Sequence, residues 1–374
     1  MTELRIGLEG VAIAETEVSD VRGEKGQLVY RGHWVQDLVE NYSFEAVVHL
    51  HWFGYLPEND REKEFKELLA SKRSISSQIK QLIELMPKEA TPMEVIRTAI
   101  SYLQVPGESW PPTSEQAMEI LAKAPTILAY HHNYHMGNTC PEPDEDLSHA
   151  ANYLYMLHNK EPSQALTEAL EAYLILSSDH GTNASTFTAR VITSTEADIV
   201  SAITGAIGAL IGPLHGGAPS KVDDMLDEIG SEDNVEPWLR EQLEKGERLM
   251  GFGHRVYKTY DPRAAALRSI VKKFANDSKL FDLSLKVEKT AVKLLEEYKP
   301  GRQLYPNLEF WTAGVLRTVE LPRTLYTPTF CMARIAGWSA NIFEQAENNR
   351  LIRPASIYTG PEPEGPAPEL PDLS

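Results

Sequence analysis

Cysteine is scarce in this chain: Cys140 and Cys331 are the only two in 374 residues. They form no spacing motif, so a disulfide framework is not expected, and two thiols in so long a chain point to a reducing compartment. No stretch of 18 or more apolar residues occurs, so no membrane-spanning helix is expected. The opening Met1-Thr2-Glu3-Leu4-Arg5 lacks a basic region followed by an apolar run, which argues against a secretory signal. The cytoplasm is the expected location. Positive charge is also in short supply: 36 Lys and Arg face 54 Asp and Glu, a net charge of −18. That argues against nucleic acid as the main partner. It also poses a problem for anionic substrates, which the global field repels unless the site is locally basic.

What is present is an ordinary globular composition, 42% apolar and 24% charged. The length exceeds one average domain and can bury a large core. The first thirty residues read as short extended segments: Val11 to Val18 alternates loosely, Gly23-Glu24-Lys25-Gly26 is a turn, and Gln27 to Tyr30 is extended. Thereafter the chain reads as helix. Ser43 is placed to cap a helix from Phe44 to Phe53 that stops at Gly54. Thr91-Pro92-Met93-Glu94 is a capping box with proline in the first turn, opening a helix toward Leu103. Leu166, Ala169, Leu170, Tyr173 and Leu174 fall at helical spacing, as do Leu283, Val287, Leu294 and Leu295. No internal repeat or heptad run occurs. The expected fold class is mainly α with a small N-terminal β element.

Between Glu196 and Ile211, small residues recur four apart: Ser201, Gly205 and Ala209, then Ala202 and Ala206, with Gly208 and Gly212 repeating the spacing. Such a face suits close helix packing, either inside the fold or at a subunit contact. The tail, 361–374, holds five prolines and four acidic residues. It is expected to be a disordered extension.

Of eleven histidines, three sit in glycine-rich settings. They are His180 in Ser178-Asp179-His180-Gly181-Thr182-Asn183, His215 in Gly212-Pro213-Leu214-His215-Gly216-Gly217-Ala218-Pro219, and His254 in Met250-Gly251-Phe252-Gly253-His254-Arg255. Glycine lets backbone approach a ligand closely, and imidazole exchanges protons near neutrality. Arg263, in Asp261-Pro262-Arg263, Arg334 and Arg353 offer planar two-pronged forks that suit a substrate with more than one carboxylate.

These three histidine segments, in this order, resemble the citrate synthase family. Gly212 to Pro219 and Gly251 to Arg263 are the most specific of them. The opening Gly23-Glu24-Lys25-Gly26 with Tyr30-Arg31-Gly32, and Glu344-Gln345-Ala346-Glu347-Asn348-Asn349 before Arg353, are similar to family patterns too. The likeness runs from about Gly7 to Gly360, leaving only the tail outside. It implies condensation of acetyl-CoA with oxaloacetate through a citryl-CoA intermediate, with no metal or redox cofactor. By resemblance, His180, His254, Arg263, Arg334 and Arg353 bind oxaloacetate, Arg353 from the partner in a homodimer. His254 polarises the ketone, and His215 donates to the thioester oxygen as the enol forms. Leu249, Met250, Gly251, Phe252 and Gly253 offer backbone to the CoA adenine, and Arg255 and Lys258 are candidates for its phosphates. The resemblance also implies a large helical domain of 1–215 and 321–360, and a small domain of 216–320 that closes over the substrates. Arg248, Arg255, Lys258 and Arg263 supply the local positive charge that the acidic chain needs.

One residue departs from the family pattern. The segment Asn307-Leu308-Glu309-Phe310-Trp311 places Glu309 where the family has an aspartate base. The added methylene reaches about 1.5 Å further, and a displacement of about 1 Å costs a rate about a hundredfold, so either the backbone is set back to compensate, which is the expectation, or catalysis is impaired. A carboxylate of ordinary pKa is a feeble base toward carbon and needs the developing enolate stabilised as it forms. Three alternatives remain open. One is 2-methylcitrate synthase, using propionyl-CoA. A second is a metal-dependent hydrolase on His180, His215 and His254, although no His-x-x-x-His pattern joins them. His131 and His135 have that spacing but read as an exposed polar face beside Asn133 and Tyr134. The third is a non-catalytic assembly protein that keeps the fold.

Overall fold

A computed structural model describes residues 4–215, 218–254, 256–274, 279–365 and 367. Among these residues, sixteen α-helices carry the fold. The first eight are α1 Val35–Asn41, α2 Phe44–Phe53, α3 Asn59–Ser71, α4 Ser77–Leu85, α5 Pro92–Ser101, α6 Ser114–Met136, α7 His149–His158 and α8 Gln164–Ser177. The rest are α9 Ala184–Thr193, α10 Ile199–Ile211, α11 Ala218–Ile229, α12 Val235–Glu244, α13 Pro262–Phe274, α14 Lys279–Tyr298, α15 Leu308–Thr318 and α16 Tyr326–Glu347. The only sheet among them is antiparallel, β1 Ser19–Arg22, β2 Gln27–Tyr30 and β3 His33–Trp34. The mainly α expectation holds.

Local chemistry sets the helix ends. Ser43 accepts from the Ala46 amide and Gly54 takes a left-handed φ of 83°, bounding α2 as the sequence predicts. Thr91 and Glu94 close their capping box, but α5 stops at Ser101, two residues short of Leu103. Ala169, Leu170, Tyr173 and Leu174 of α8 are buried, as are the four apolar positions of α14. The segment from Val11 to Val18 is not a strand. Ser19 pairs with Tyr30, and then Arg31 and Gly32 turn left-handed and lead β2 away into β3, so the residues before Ser19 have no strand to pair with.

Helix α16 is the centre of the core. It packs against α2, α6, α8, α9 and α10, and its buried residues surround the axis, the pattern of an internal helix. One of its faces is polar. Arg334, Gly337, Trp338 and Asn341 fall at i, i+3, i+4 and i+7 and meet the turn that joins α8 to α9. Helix α10 is not wholly internal. Ala202 and Ala206 are buried, whereas Ser201 and Gly208 are exposed and Gly205, Ala209 and Gly212 half-buried. The described part of the tail, 361–365 and 367, is exposed and has no helix or strand.

At Gly337 the amide donates to the Ser178 carbonyl at 3.1 Å, and a Cβ would collide with that carbonyl and with Asp179. Alanine gains up to about 1 kcal/mol of helix propensity over glycine. Here the obstacle includes backbone that cannot swing aside, so the clash wins. Gly337→Ala is expected to destabilise the protein by about 1–3 kcal/mol, read as a lowered thermal unfolding midpoint.

Candidate active site

The α8–α9 turn carries His180. Its neighbour Asp179 is fully buried and accepts from the Ser19 hydroxyl, from the Gly181 amide at 3.0 Å and from Asn341 Nδ2 at 3.2 Å. The Tyr30 hydroxyl donates to the Asp179 carbonyl at 2.6 Å. Buried Arg190 holds the Asn341 amide oxygen from behind, at 2.9 and 3.1 Å. The turn is thus tied to the N-terminal sheet and to α16 together. His180 Nε2 lies 3.1 Å from the Tyr257 hydroxyl, and its ring centroid lies 5.3 Å from that of His254.

His254 arrives on an extended segment ahead of α13. Its Nδ1 accepts from the amides of Val256 and Tyr257, at 3.0 and 3.2 Å. A nitrogen that accepts carries no proton in the neutral ring, so the proton sits on Nε2. Nε2 lies 3.4 Å from Arg263 NH2. Both are donors, so this is an approach of two groups facing one acceptor position. Burial, then the Arg263 charge, push the His254 imidazolium down to about 4. Arg263 is held by Asp261, with Nε to Oδ1 at 3.0 Å and NH2 to Oδ2 at 2.8 Å. The same Oδ2 accepts from the Leu308 amide at 3.1 Å. Asp261 therefore fixes the arginine and the first residue of α15 in one contact.

His215 follows α10 in a turn closed by its amide on the Gly212 carbonyl at 2.9 Å. Its Nε2 lies 2.9 Å from the Ser185 hydroxyl oxygen. That oxygen also accepts from the Trp338 indole at 3.1 Å and donates to Asn183 Oδ1 at 2.8 Å. Asn183 Oδ1 must be the amide oxygen, because it caps α9 by accepting from the Thr186 amide at 3.1 Å. The single Ser185 proton is thereby spent on Asn183, and His215 Nε2 is the donor. Burial, then the Arg334 charge, lower the His215 imidazolium to about 4. In this arrangement Nδ1 is bare and accepts. The donor role that the resemblance implies requires the Ser185 hydroxyl to turn from Asn183 to Nε2, moving the ring proton to Nδ1.

Arg334 connects these parts. It is 2% exposed, its Nε donates to the Ser177 carbonyl at 2.7 Å, and it stacks on Phe330. Its charge acts on Tyr173, Asp179, His180, His215 and Glu309. His180 is pushed well below its ordinary value by burial, then by Arg263, His254 and Arg334. Glu309, in the first turn of α15, moves the other way. Burial raises its carboxyl, Arg263 and Arg334 oppose the rise, and Asp261 adds to it. Glu309 is therefore a stronger base than a carboxylate in water, and Arg317 of its helix is paired with Asp223 and Asp227 of α11. Among the described residues, no group of three or more His, Cys, Asp or Glu is placed to hold a metal ion.

Comparison with known proteins decides the family. The sequence model described as citrate synthase, C-terminal domain, matches residues 7–355. The chain belongs to the citrate synthase family. It is 41% identical to citrate synthase 2 of Bacillus subtilis, over 97% of each chain. It is 40% identical to 2-methylcitrate synthase 2 of Corynebacterium glutamicum, over 98% of this chain and 97% of that one. The ternary complex of carboxymethyl coenzyme A and oxaloacetate with citrate synthase from Thermoplasma acidophilum superposes with a TM-score of 0.89, at 30% identity, over 98% of this chain and 99% of that one.

The other residues expected from the citrate synthase resemblance are placed as follows. Arg255 lies outside the described residues, as do Gly216 and Gly217. Lys258 is exposed and its charge reaches His254. From Leu249 to Gly253, much of the backbone is already engaged. Gly253 donates to the Tyr305 carbonyl at 2.8 Å, while the Gly251 and Gly253 carbonyls accept from Asn307 N and Nδ2, each at 2.9 Å. Among the described residues, the Gly251 amide and the backbone of Leu249, Met250 and Phe252 are not engaged in this way. Arg353 is exposed, and its neighbour Ile352 is bonded to Ser194 at the far end of α9, about 15 Å along that helix from Asn183. His131 corrects an expectation. It is buried with Asn133 on the inner side of α6, 4.4 Å ring to ring from His135, and neither of its nitrogens has a partner. The polar letters hide an i, i+4 stripe that faces inward.

The sequence reading passed over Asp179, Ser185, Tyr257, Asp261 and the polar face of α16. A signal existed for the last: Arg334, Trp338 and Asn341 stand at helical spacing in an otherwise apolar helix. The buried and half-buried histidines also set an acid limit. Their folded values lie near 4 for His131, His215 and His254 and near 3 for His51 and His149, against 6.5 unfolded. Below 6.5 the unfolded chain binds more protons, so this stability is complete above that pH and is lost as pH falls toward 4. Urea denaturation at pH 7, 6 and 5 is expected to show a steady fall in unfolding free energy.

Proposed function

We propose that the chain condenses acetyl-CoA with oxaloacetate and water to give citrate and CoA. The observation that carries this reading is the pairing of a carboxyl raised by burial with a histidine that its backbone locks as a neutral Nε2–H donor. Glu309 removes a methyl proton from the thioester, and a hydrogen bond from His215 to the thioester oxygen stabilises the enol. The enol carbon attacks the ketone carbon, while His254 Nε2–H gives its proton to the ketone oxygen as it becomes an alkoxide, and the methyl proton taken up by Glu309 replaces it on the His254 ring. Arg263 and Arg334 hold the oxaloacetate carboxylates beside His180. Water then cleaves citryl-CoA, releasing citrate and the CoA thiol. The scheme uses no metal or redox cofactor, and the CoA thioester is a substrate.

The small segment 216–320 would close on the body formed by 1–215 and 321–360. Closure excludes water and strengthens each of these interactions. The body would dimerise through the open face of α10. There Ser201, Thr204 and Gly205 line a cavity of about 610 Å³ together with Leu103 and Gln116. The exposed Arg353 would cross to complete the partner's site. The proposed compartment is the cytoplasm.

Thiol release from acetyl-CoA and from propionyl-CoA, each with oxaloacetate, tests the reaction and its donor. One extra methylene in a pocket is worth only about 1–3 kcal/mol, so faster turnover with acetyl-CoA is the expected result. Glu309→Gln is expected to lower kcat by about 10²–10⁴, the usual range for a lost general base; near-normal condensation removes Glu309 from the scheme. A shared site makes a separate prediction. Glu309→Gln and Arg353→Ala, each inactive alone, are expected to regain activity when their subunits are mixed and allowed to exchange. The hybrid then contains one intact site.

A further inference from the structure

Sealed polar atoms face one another across the α8–α15 contact. Glu309 Oε2 receives no donor from another residue, and the Tyr173 and Ser177 hydroxyls have only each other; with Ser177 donating to the phenol oxygen, the Tyr173 proton is unspent. Buried polar atoms in native proteins are nearly always satisfied, so orphans beside a catalytic group call for an explanation. Tyr173 is fully buried on α8, one turn before Ser177, whose carbonyl holds Arg334. Helix α8 packs directly against α15, which carries Glu309. The Glu309 carboxylate acts on the Tyr173 hydroxyl, and the Arg334 charge reaches both. Burial keeps the phenol protonated far above neutrality, so Tyr173 is a permanent donor. Oε2 is an acceptor without a donor. A glutamate also has one more rotatable bond than an aspartate and needs one more restraint to end in a single place.

We propose that Tyr173 is a positioning residue for Glu309, its hydroxyl donating a hydrogen bond to Oε2 when the site is at work. The inference rests on Glu309 being the base. The contact fixes the end of the longer arm and leaves the other carboxylate oxygen to take the methyl proton. It also favours the ionised carboxylate against the burial that disfavours it. The other charges facing Glu309 are Arg263 and Asp261 from the start of α13 and Arg334 from α16. None of them changes when Tyr173 is altered.

The test is Tyr173→Phe in the full-length enzyme, with kcat and the KM for oxaloacetate measured against pH. Loss of the donor raises the Glu309 pKa, so the acid limb of kcat is expected to move up by about one pH unit. At a pH on that limb the same change lowers kcat by about tenfold. The KM for oxaloacetate is expected to stay within about twofold, since oxaloacetate is held by other groups. In a Glu309→Asp background, whose carboxylate is drawn back from Tyr173, Tyr173→Phe should have little further effect. An unmoved acid limb, or the same loss in both backgrounds, overturns the proposal. If Glu309→Gln is inactive while Tyr173→Phe behaves as wild type, only this inference fails. If Glu309→Gln stays active, the base assignment itself fails.

Discussion

A guanidinium buried at the centre of a helical core is the constraint on which the rest of the site depends. Arg334 is almost fully enclosed, and burial lowers even its pKa, a sign of how costly that charge is. Among the described residues, no carboxylate forms an ion pair with it directly. Its Nε is held by a backbone carbonyl, and buried Asp179 balances it at a distance. A charge left so poorly neutralised must act on its surroundings. Burial is the larger influence on all three neighbours, and the Arg334 charge adds to it at His180 and His215, disfavouring their protonation, and opposes it at Glu309, favouring ionisation. An incoming dianion would complete the neutralisation, which is why a chain of net charge −18 can attract anions.

The fold exists around that arrangement. One face of α16 supplies Arg334, the bare glycine that lets the His180 turn approach, the indole that orients Ser185, and the amide that holds Asp179. The N-terminal sheet closes the other side through Ser19 and Tyr30. Its turn then meets the segment that carries His254, where the Lys258 amide donates to the Gly23 carbonyl at 3.2 Å and a Cβ on Gly23 would collide with Val256. The small β element thus serves as a wall for His254. The backbone bonds on His254 Nδ1 come from this same segment, so the sheet and the tautomer are linked.

Helix ends were legible in the sequence wherever capping is local: Ser43 and Gly54, or Thr91 and Glu94, act within one turn. The histidines and arginines were legible because their segments are short and distinctive. Their partners were not. Asp179 meets Ser19 and Asn341, Ser185 meets Trp338, and Asp261 meets Leu308, across 47 to 162 positions, and no local pattern records such contacts. Val11 to Val18 misled because alternation was present without a partner strand. His131 misled because a polar side chain was assumed to face water. Glu309 was found by position, but the burial that raises its carboxyl is visible only in the packed structure.

Nitrogen chemical shifts of ¹⁵N-labelled histidine, followed from pH 8 to pH 4, report both charge state and tautomer. His254 is expected to be neutral throughout the neutral range, with its proton on Nε2, and His215 neutral too, both titrating near 4. A site histidine that protonates at or above the ordinary value of about 6.5 would contradict it. Burial and the guanidiniums would then not be setting the charge states on which the chemistry rests.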